Sequence, residues 1–282
     1  MKAVTTPRFF VPPEWLKGEQ VVLKGPIYHQ VSRVLRLQPG DEIVLLDNSG
    51  WEAVVRLQDL SAEEGRGEVV ARRLAKAEPK TKIALYQAVL KGRHFEFALQ
   101  KGTELGLVEF VPIVTARCIV ADLDAIAHKE RRWQKILQEA AEQSGRGRIP
   151  QLRPALLFPR ACERVRRTGG LSLLLWEGGG SVSLRALFGG EARAVEALQA
   201  LLVELKTSPP DPLAPPPEAT RRQRPFSVNL FVGPEGGFTE QEVALARQYG
   251  VLPVGLGPRI LRAETAGLVA ASAIFYALGD LE

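Results

Sequence analysis

The chain has 282 residues, 45% of them apolar, and carries 37 Lys/Arg against 32 Asp/Glu for a net charge of +5. That length suits two ordinary domains, and the absence of any apolar run of about 18 residues excludes a transmembrane helix. Two cysteines, Cys118 and Cys162, cannot build a disulfide framework, and His29, His94 and His128 do not fall at metal-ligand spacings with them. The segment Met1–Arg8 lacks the apolar run of a signal peptide. These features lead us to expect a cytoplasmic protein with no metal site and no membrane association.

Residues 1–75 read as a small β-rich domain. Arg8–Val11, Glu42–Leu46, Trp51–Leu57 and Gly65–Arg73 have strand composition, and Pro39-Gly40-Asp41 and Asp47-Asn48-Ser49-Gly50 supply turns. Short strands with turns every ten residues or so suggest a small barrel. Between the first two strands, Val31, Val34 and Leu35 are spaced for one helical face, which directs His29, Arg33 and Arg36 outward. Arginine pairs with phosphate in bidentate fashion and stacks on bases, so Arg8, Arg33 and Arg36 are candidate RNA ligands; a solvated helix face is the alternative. His29 suits a structural role.

Residues 76–82 form a polar linker, and 83–282 read as an α/β domain. Ile83–Leu90 is an apolar strand. Phe95–Leu105 is a helix with Phe95, Leu99 and Gly102 on one side, and Val108–Val114 is the next strand. Arg131–Ser144 is a helix with Trp133, Ile136, Leu137 and Ala140 as its buried stripe. Glu142 near its C-terminal end calls for a partner, an arginine or a simple surface pair, because that end of a helix disfavours a carboxylate. From Lys129 to Arg167 there are eleven Lys/Arg and four Glu, a local balance of +7 that leaves the rest slightly acidic. Such a block suits phosphate contacts, although a charge run taken alone reads first as a solvated helix face.

Leu171–Trp176 reads as a central parallel strand leading into Glu177-Gly178-Gly179-Gly180. Residues 181–224 read as an exposed, partly disordered insertion, with a helix over Ala192–Leu205 and six prolines between Pro209 and Pro217, followed by Arg221, Arg222 and Arg224. Phe226–Val232 is a strand that opens into Gly233-Pro234-Glu235-Gly236-Gly237. A helix follows, with a Thr239/Glu242 capping box and a stop at Gly250. Val251–Gly255 leads into a second loop, Leu256-Gly257-Pro258-Arg259-Ile260-Leu261-Arg262-Ala263-Glu264-Thr265-Ala266, and a final helix runs from about Ala263 to Leu278. In open α/β sheets ligands bind at the carboxyl ends of strands. Glycines there let backbone approach a flat ligand closely. Neither loop is a Walker A or a Gly-x-Gly-x-x-Gly sequence.

"FVGPEGGFTEQEV" and "LGPRILRAETA" resemble the C-terminal signature of the RsmE family, the 16S rRNA (uracil-N3) methyltransferases of the SPOUT superfamily. "FALQKGTELGLVEFVPIVTARC" and "RWQKILQEAAEQSGRGRIP" resemble two further signatures of that family, so the likeness spans nearly all of the chain outside 181–224. Gly102 departs from the alanine common at its place, and Trp176 from the family's His or Asp.

The resemblance implies a PUA-like RNA-binding barrel, then a SPOUT parallel sheet with a trefoil knot that holds S-adenosylmethionine, in a homodimer packed through the small-residue C-terminal helix. The implied substrate is 16S rRNA in the small ribosomal subunit. The implied cofactor residues are Leu175, Glu177, Gly233, Glu235, Gly236, Leu256, Gly257, Leu261, Arg262, Thr265 and Ala266. Gln143, Ser144 and Arg146 join Arg8, Arg33 and Arg36 as RNA ligands. Arg262 is the candidate stabiliser of a uracil anion, and Glu264 either orients it or acts as the base, with Glu139 as another candidate base. Other readings are a SPOUT methyltransferase of tRNA or another rRNA base, a non-catalytic RNA-binding assembly factor, and an ATP- or NAD-binding enzyme.

If Arg33 and Arg36 meet phosphates, the double variant Arg33→Ala/Arg36→Ala binds RNA more weakly and with a shallower salt dependence, by about one to two units in the log–log slope, as measured by titration at several salt concentrations.

Overall fold

The computed structural model describes residues 6–178, 181–188 and 227–281. The chain forms two compact units, one of Met1–Glu78 with Lys135–Pro150, the other of Pro79–Gln134 with Gln151–Glu282. Residues 135–150 belong to the first unit, although the sequence reading placed them in the second domain.

The first unit is built on a five-stranded sheet. Its strands are β1 (Arg8–Phe10), β2 (Gln20–Leu23), β3 (Glu42–Leu46), β4 (Trp51–Leu60) and β5 (Gly65–Leu74), in the order β1-β3-β4-β5-β2. β1 runs parallel to β3 and the other pairs are antiparallel. Register shifts at Val54/Val55 and Leu57/Asp59 curl the sheet, because each extra residue bends its strand. The pairing leaves β1 and β2 as edges, so the expected barrel is a curled, open sheet around Phe9, Val21, Leu23, Ile43, Leu45 and Val55. β2 was not foreseen; four residues with two valines give little pattern.

The helix over this sheet differs from expectation. It starts at Gly25 as α1 (Gly25–His29) and continues as a π-helical turn over Gln30–Val34. Tyr28 and Val31 are buried, whereas Val34 and Leu35 are exposed. The wider π turn takes 31, 34 and 35 off a common face. His29 is exposed and not a buried structural histidine, and Arg33 and Arg36 are exposed as expected.

The second unit carries β6 (Lys82–Ala88), α2 (His94–Leu105), β7 (Glu109–Val114), α3 (Leu123–Ala127) and the start of α4 (Glu130–Gln143). Then come β8 (Gln151–Leu152), β9 (Leu156–Leu157), α5 (Phe158–Thr168), β10 (Leu171–Leu175), β11 (Val182–Ser183), α6 (Leu184–Phe188), β12 (Ser227–Val232), α7 (Glu240–Gln248), β13 (Leu252–Gly255) and α8 (Ala263–Ala277). The strands are parallel, in the order β11-β13-β10-β12-β6-β7-β8, with β9 also on β7. β10, β12 and β6 are almost wholly apolar, as a sheet covered on both faces requires. α8 packs on α2, β12 and β6, and its buried Gly267 lies against Leu85 and Val232.

β11 and α6 occupy the first residues of the stretch read as an insertion, so the chain extends the sheet before leaving it. The predicted helix over 192–205, the proline run and Arg221, Arg222 and Arg224 lie outside the described residues. So does part of the β10–β12 connection through which a knot would be tied.

Several side chains stand differently from expectation. Arg146 is 2% exposed and pairs with Glu78 at 3.1 Å, and Glu78 also accepts the Gly147 and Arg148 amides. This guanidinium is held inside its unit and is not presented to RNA. Arg8 is likewise engaged, at 2.5 Å from Glu52, a buried carboxylate shared with Arg73. Burial pushes Glu52 up, but hydrogen bonds from Arg73 and Arg8 outweigh it and hold the carboxyl below its usual value. The Ser144 hydroxyl donates to its own helix at Ala140, and Gln143 is exposed. Glu142 does not pair with an arginine. It accepts the Phe10 amide and the Gln138 side chain, and burial raises its pKa.

The basic block dissolves in three dimensions. Arg132 pairs with Glu96, Lys135 with Glu139, Arg153 and Arg164 with Glu109, and Arg160 with Glu163. Its charge is spread over both units and compensated in part.

Gly102 has a packing reason. A Cβ there would meet Leu107 Cδ1 at 2.6 Å and the Phe110 ring at 2.8 Å, both fully buried. Gly102→Ala gains up to about 1 kcal/mol of helix propensity and loses about 1–3 kcal/mol to overpacking. We expect a net destabilisation of about 1–2 kcal/mol, measured by urea unfolding.

Candidate active site

At the carboxyl ends of the parallel strands the second unit opens into a cavity of about 1390 Å³. Three loops build most of it: Leu175–Gly178 after β10, Gly233–Gly237 after β12 and Leu256–Arg262 after β13. These strands are neighbours in the sheet, so their loops stand side by side. Of the expected cofactor residues, Leu175, Glu177, Gly233, Glu235, Gly236, Leu256, Gly257, Leu261, Arg262 and Ala266 all line this cavity. Thr265 does not; it sits in the first turn of α8, where its amide donates to Arg262 O.

The glycines answer to local geometry at two places. Gly257 has φ +100° with nothing within 4 Å of where a Cβ would stand. A left-handed turn thus leaves the backbone open to the cavity. Gly233 sits against Gly237 and the Phe238 ring at 3.1–3.2 Å, so the loop closes on itself only without a side chain. The Trp176 indole lies over Gly178 and borders the cavity, while its amide donates to Val254 O at 2.9 Å.

The loops are strapped from the other side. Arg117, after β7, donates to Gly236 O at 2.6 Å and to Phe238 O at 3.3 Å. The Ala116 amide donates to Glu242, which also closes the Thr239 capping box. Glu235 accepts the Lys91 amide at 3.1 Å, tying the β12 loop to the turn after β6. Lys91, Gly92, His94 and Arg117 therefore belong to the cavity, although the sequence reading missed them. Lys91, His94 and Arg117 each meet a partner more than a hundred residues away, and no local pattern encodes that.

Glu264 sits 3.0 Å from His94 Nδ1; its side chain is 12% exposed and that of His94 50%. The carboxylate is thus engaged by an imidazole, which corrects the expectation that it orients Arg262. Arg262 is the N-cap residue of α8 and exposed at the cavity; among the described residues its guanidinium has no ion-pair partner. Its carbonyl accepts the Thr265 and Ala266 amides at 2.9 Å, which fixes the backbone. Glu139 belongs to the other unit, is exposed beside Lys135 at 3.6 Å, and is not part of this cavity.

The profile of the RNA methyltransferase domain family matches residues 77–275. Ribosomal RNA small subunit methyltransferase E of Bacillus subtilis is 32% identical over 255 residues, covering 90% of this chain and 89% of its own. The chain belongs to the ribosomal RNA small subunit methyltransferase E family. The Synechocystis member is 34% identical, over 95% of this chain and 76% of its own length. A solved Neisseria gonorrhoeae member bound to S-adenosyl methionine superposes with a TM-score of 0.74 at 29% identity, covering 96% of this chain and 98% of that one. A Legionella pneumophila methyltransferase in complex with SAM gives 0.75 at 29% identity, covering 97% and 98%. The two units are the family's PUA-like curled sheet and its SPOUT parallel sheet.

Arg117→Ala removes the strap on the β12 loop without touching the core. We expect affinity for S-adenosylmethionine to fall about tenfold, read by calorimetry, with the unfolding midpoint almost unchanged.

Proposed function

We propose that the protein transfers a methyl group from S-adenosylmethionine to N3 of a uridine near the 3′ end of 16S rRNA, in the small ribosomal subunit. We place this activity in the cytoplasm and in a homodimer joined through α8. The observation that carries the reading is the cavity: three glycine-bearing loops on adjacent parallel strand ends, with an arginine at the start of the next helix that has no ion-pair partner among the described residues.

The residues present fit the cofactor. Gly257 leaves open backbone at the cavity wall, and Leu175, Leu256 and Leu261 supply apolar surface for an adenine. When bound, S-adenosylmethionine supplies a methyl group on a positively charged sulfur. The protein's part is alignment and charge. Uracil N3 forms its bond to the methyl carbon as the carbon–sulfur bond breaks, and the N3 proton must leave. The charge that develops on O2 and O4 is met by Arg262, whose guanidinium stands at the positive end of α8. The proton goes to the Glu264–His94 pair beside it, in which the carboxylate holds Nδ1 and leaves Nε2 as an acceptor.

The test is transfer of label from S-adenosylmethionine to small subunits lacking the modification, with mapping of the labelled base. Label at N3 of one uridine near the 3′ end of 16S rRNA supports the reading, and label elsewhere replaces the substrate. Cofactor binding without transfer to any RNA would make the protein an assembly factor. Arg262→Ala should lower kcat by about 10²–10³-fold with an unchanged unfolding midpoint; near-wild-type turnover would remove Arg262 from the chemistry.

A further inference from the structure

We propose that the turn Lys91-Gly92-Arg93, at the β6 end of the cavity, holds a backbone phosphate of the substrate RNA beside the target uridine. This rests on the RNA-methylating reading above and assigns its substrate side.

The sheet sets the position. Along its edge the strand ends run β13, β10, β12, β6. The glycine-bearing loops leave the first three. Neighbouring strands lie about 4.8 Å apart, so the β6 turn stands one strand beyond the cofactor loops. The cavity, about 1390 Å³, exceeds the roughly 300–1,000 Å³ usual for a pocket that serves one small ligand. A second occupant therefore fits beside the cofactor, and Lys91 and Gly92 line the side where it would lie.

The turn suits an anion. Lys91, Gly92 and Arg93 are all exposed. Among the described residues neither Lys91 nor Arg93 has an ion-pair partner, unlike Lys101, Arg132, Arg153 and Arg164 of the same unit. Gly92 has φ +64° and nothing within 4 Å of its Cβ position, so the turn is open to close approach. It is also fixed: the Lys91 amide donates to Glu235, and His94 meets Glu264. Glu235 is thus already engaged by the turn, and Glu264 by the first residue of the helix that follows it. A phosphate seated there leaves the base of its nucleotide for Arg262 and the Glu264–His94 pair.

The experiment compares full-length wild type with Lys91→Ala/Arg93→Ala and with Lys91→Arg. Three quantities are measured: the salt dependence of binding to an RNA fragment from the 3′ end of 16S rRNA, KM for unmodified small subunits, and the dissociation constant for S-adenosylmethionine. The double variant should lose about one unit of salt slope and raise KM about tenfold, with cofactor affinity within twofold of wild type. Lys91→Arg should behave as wild type. A raised cofactor dissociation constant with an unchanged salt slope would assign the cations to the cofactor's carboxylate and overturn the proposal. No change in any quantity would leave a solvated turn and overturn it too. Wild type that bound and methylated no RNA would instead remove the functional reading beneath it.

Discussion

Parallel pairing of β13, β10, β12 and β6 is the constraint on which the site depends. Strands that run the same way end on the same edge, so every loop that leaves them emerges on one side. The long-range pairing of the strands, which sets Ser227 opposite Lys82 and Leu173 opposite Leu252, is what gathers the loops. The straps from Arg117 and Glu235 refine positions that the sheet has already fixed.

The sheet survives burial on both faces because its strands are largely apolar, and most of the buried polar side chains have partners, although Gln87 Oε1 has none among the described residues. Asn229 and Ser172 face each other across β12 and β10 at 3.0 Å, and Asn229 also reaches Gly169 O. Glu109 at the opposite end of β7 collects Arg153 and Arg164, and Arg164 in turn donates to the Tyr86 hydroxyl. One set of ion pairs thus lies at the edge away from the cavity, where its charges neutralise one another. At the cavity end, among the described residues, the Arg262 guanidinium has no ion-pair partner.

Much of this was legible in sequence where the signal is local. Strand composition located β3, β4, β10 and β12 to within a few residues, and the capping box of α7 is present in full. The glycine loops announced a ligand site because their spacing after apolar runs is itself local. α5 was overlooked although Phe158, Ala161, Cys162 and Val165 make a regular buried stripe; five arginines in and around it drew the reading towards RNA. Charge was the least legible property. Arg8, Arg146 and Glu142 read as surface groups, yet their partners Glu52, Glu78 and Phe10 lie 44, 68 and 132 residues away. The same distance hid the turn at Lys91 and the His94–Glu264 pair from any pattern search.

Asp280 accepts the Lys80 amide at 2.7 Å and the Thr81 amide at 2.9 Å, and these contacts outweigh burial to hold its carboxyl below the usual value. The chain just beyond the last helix is thereby clasped to the residues that lead into β6. In topological terms the stretch from 80 to 280 is a ring closed by two hydrogen bonds. Tension applied at the C-terminus would be carried by that clasp directly into β6, the strand that ends at the Lys91 turn. An enzyme held by its C-terminal end would be pulled at the root of its own catalytic sheet.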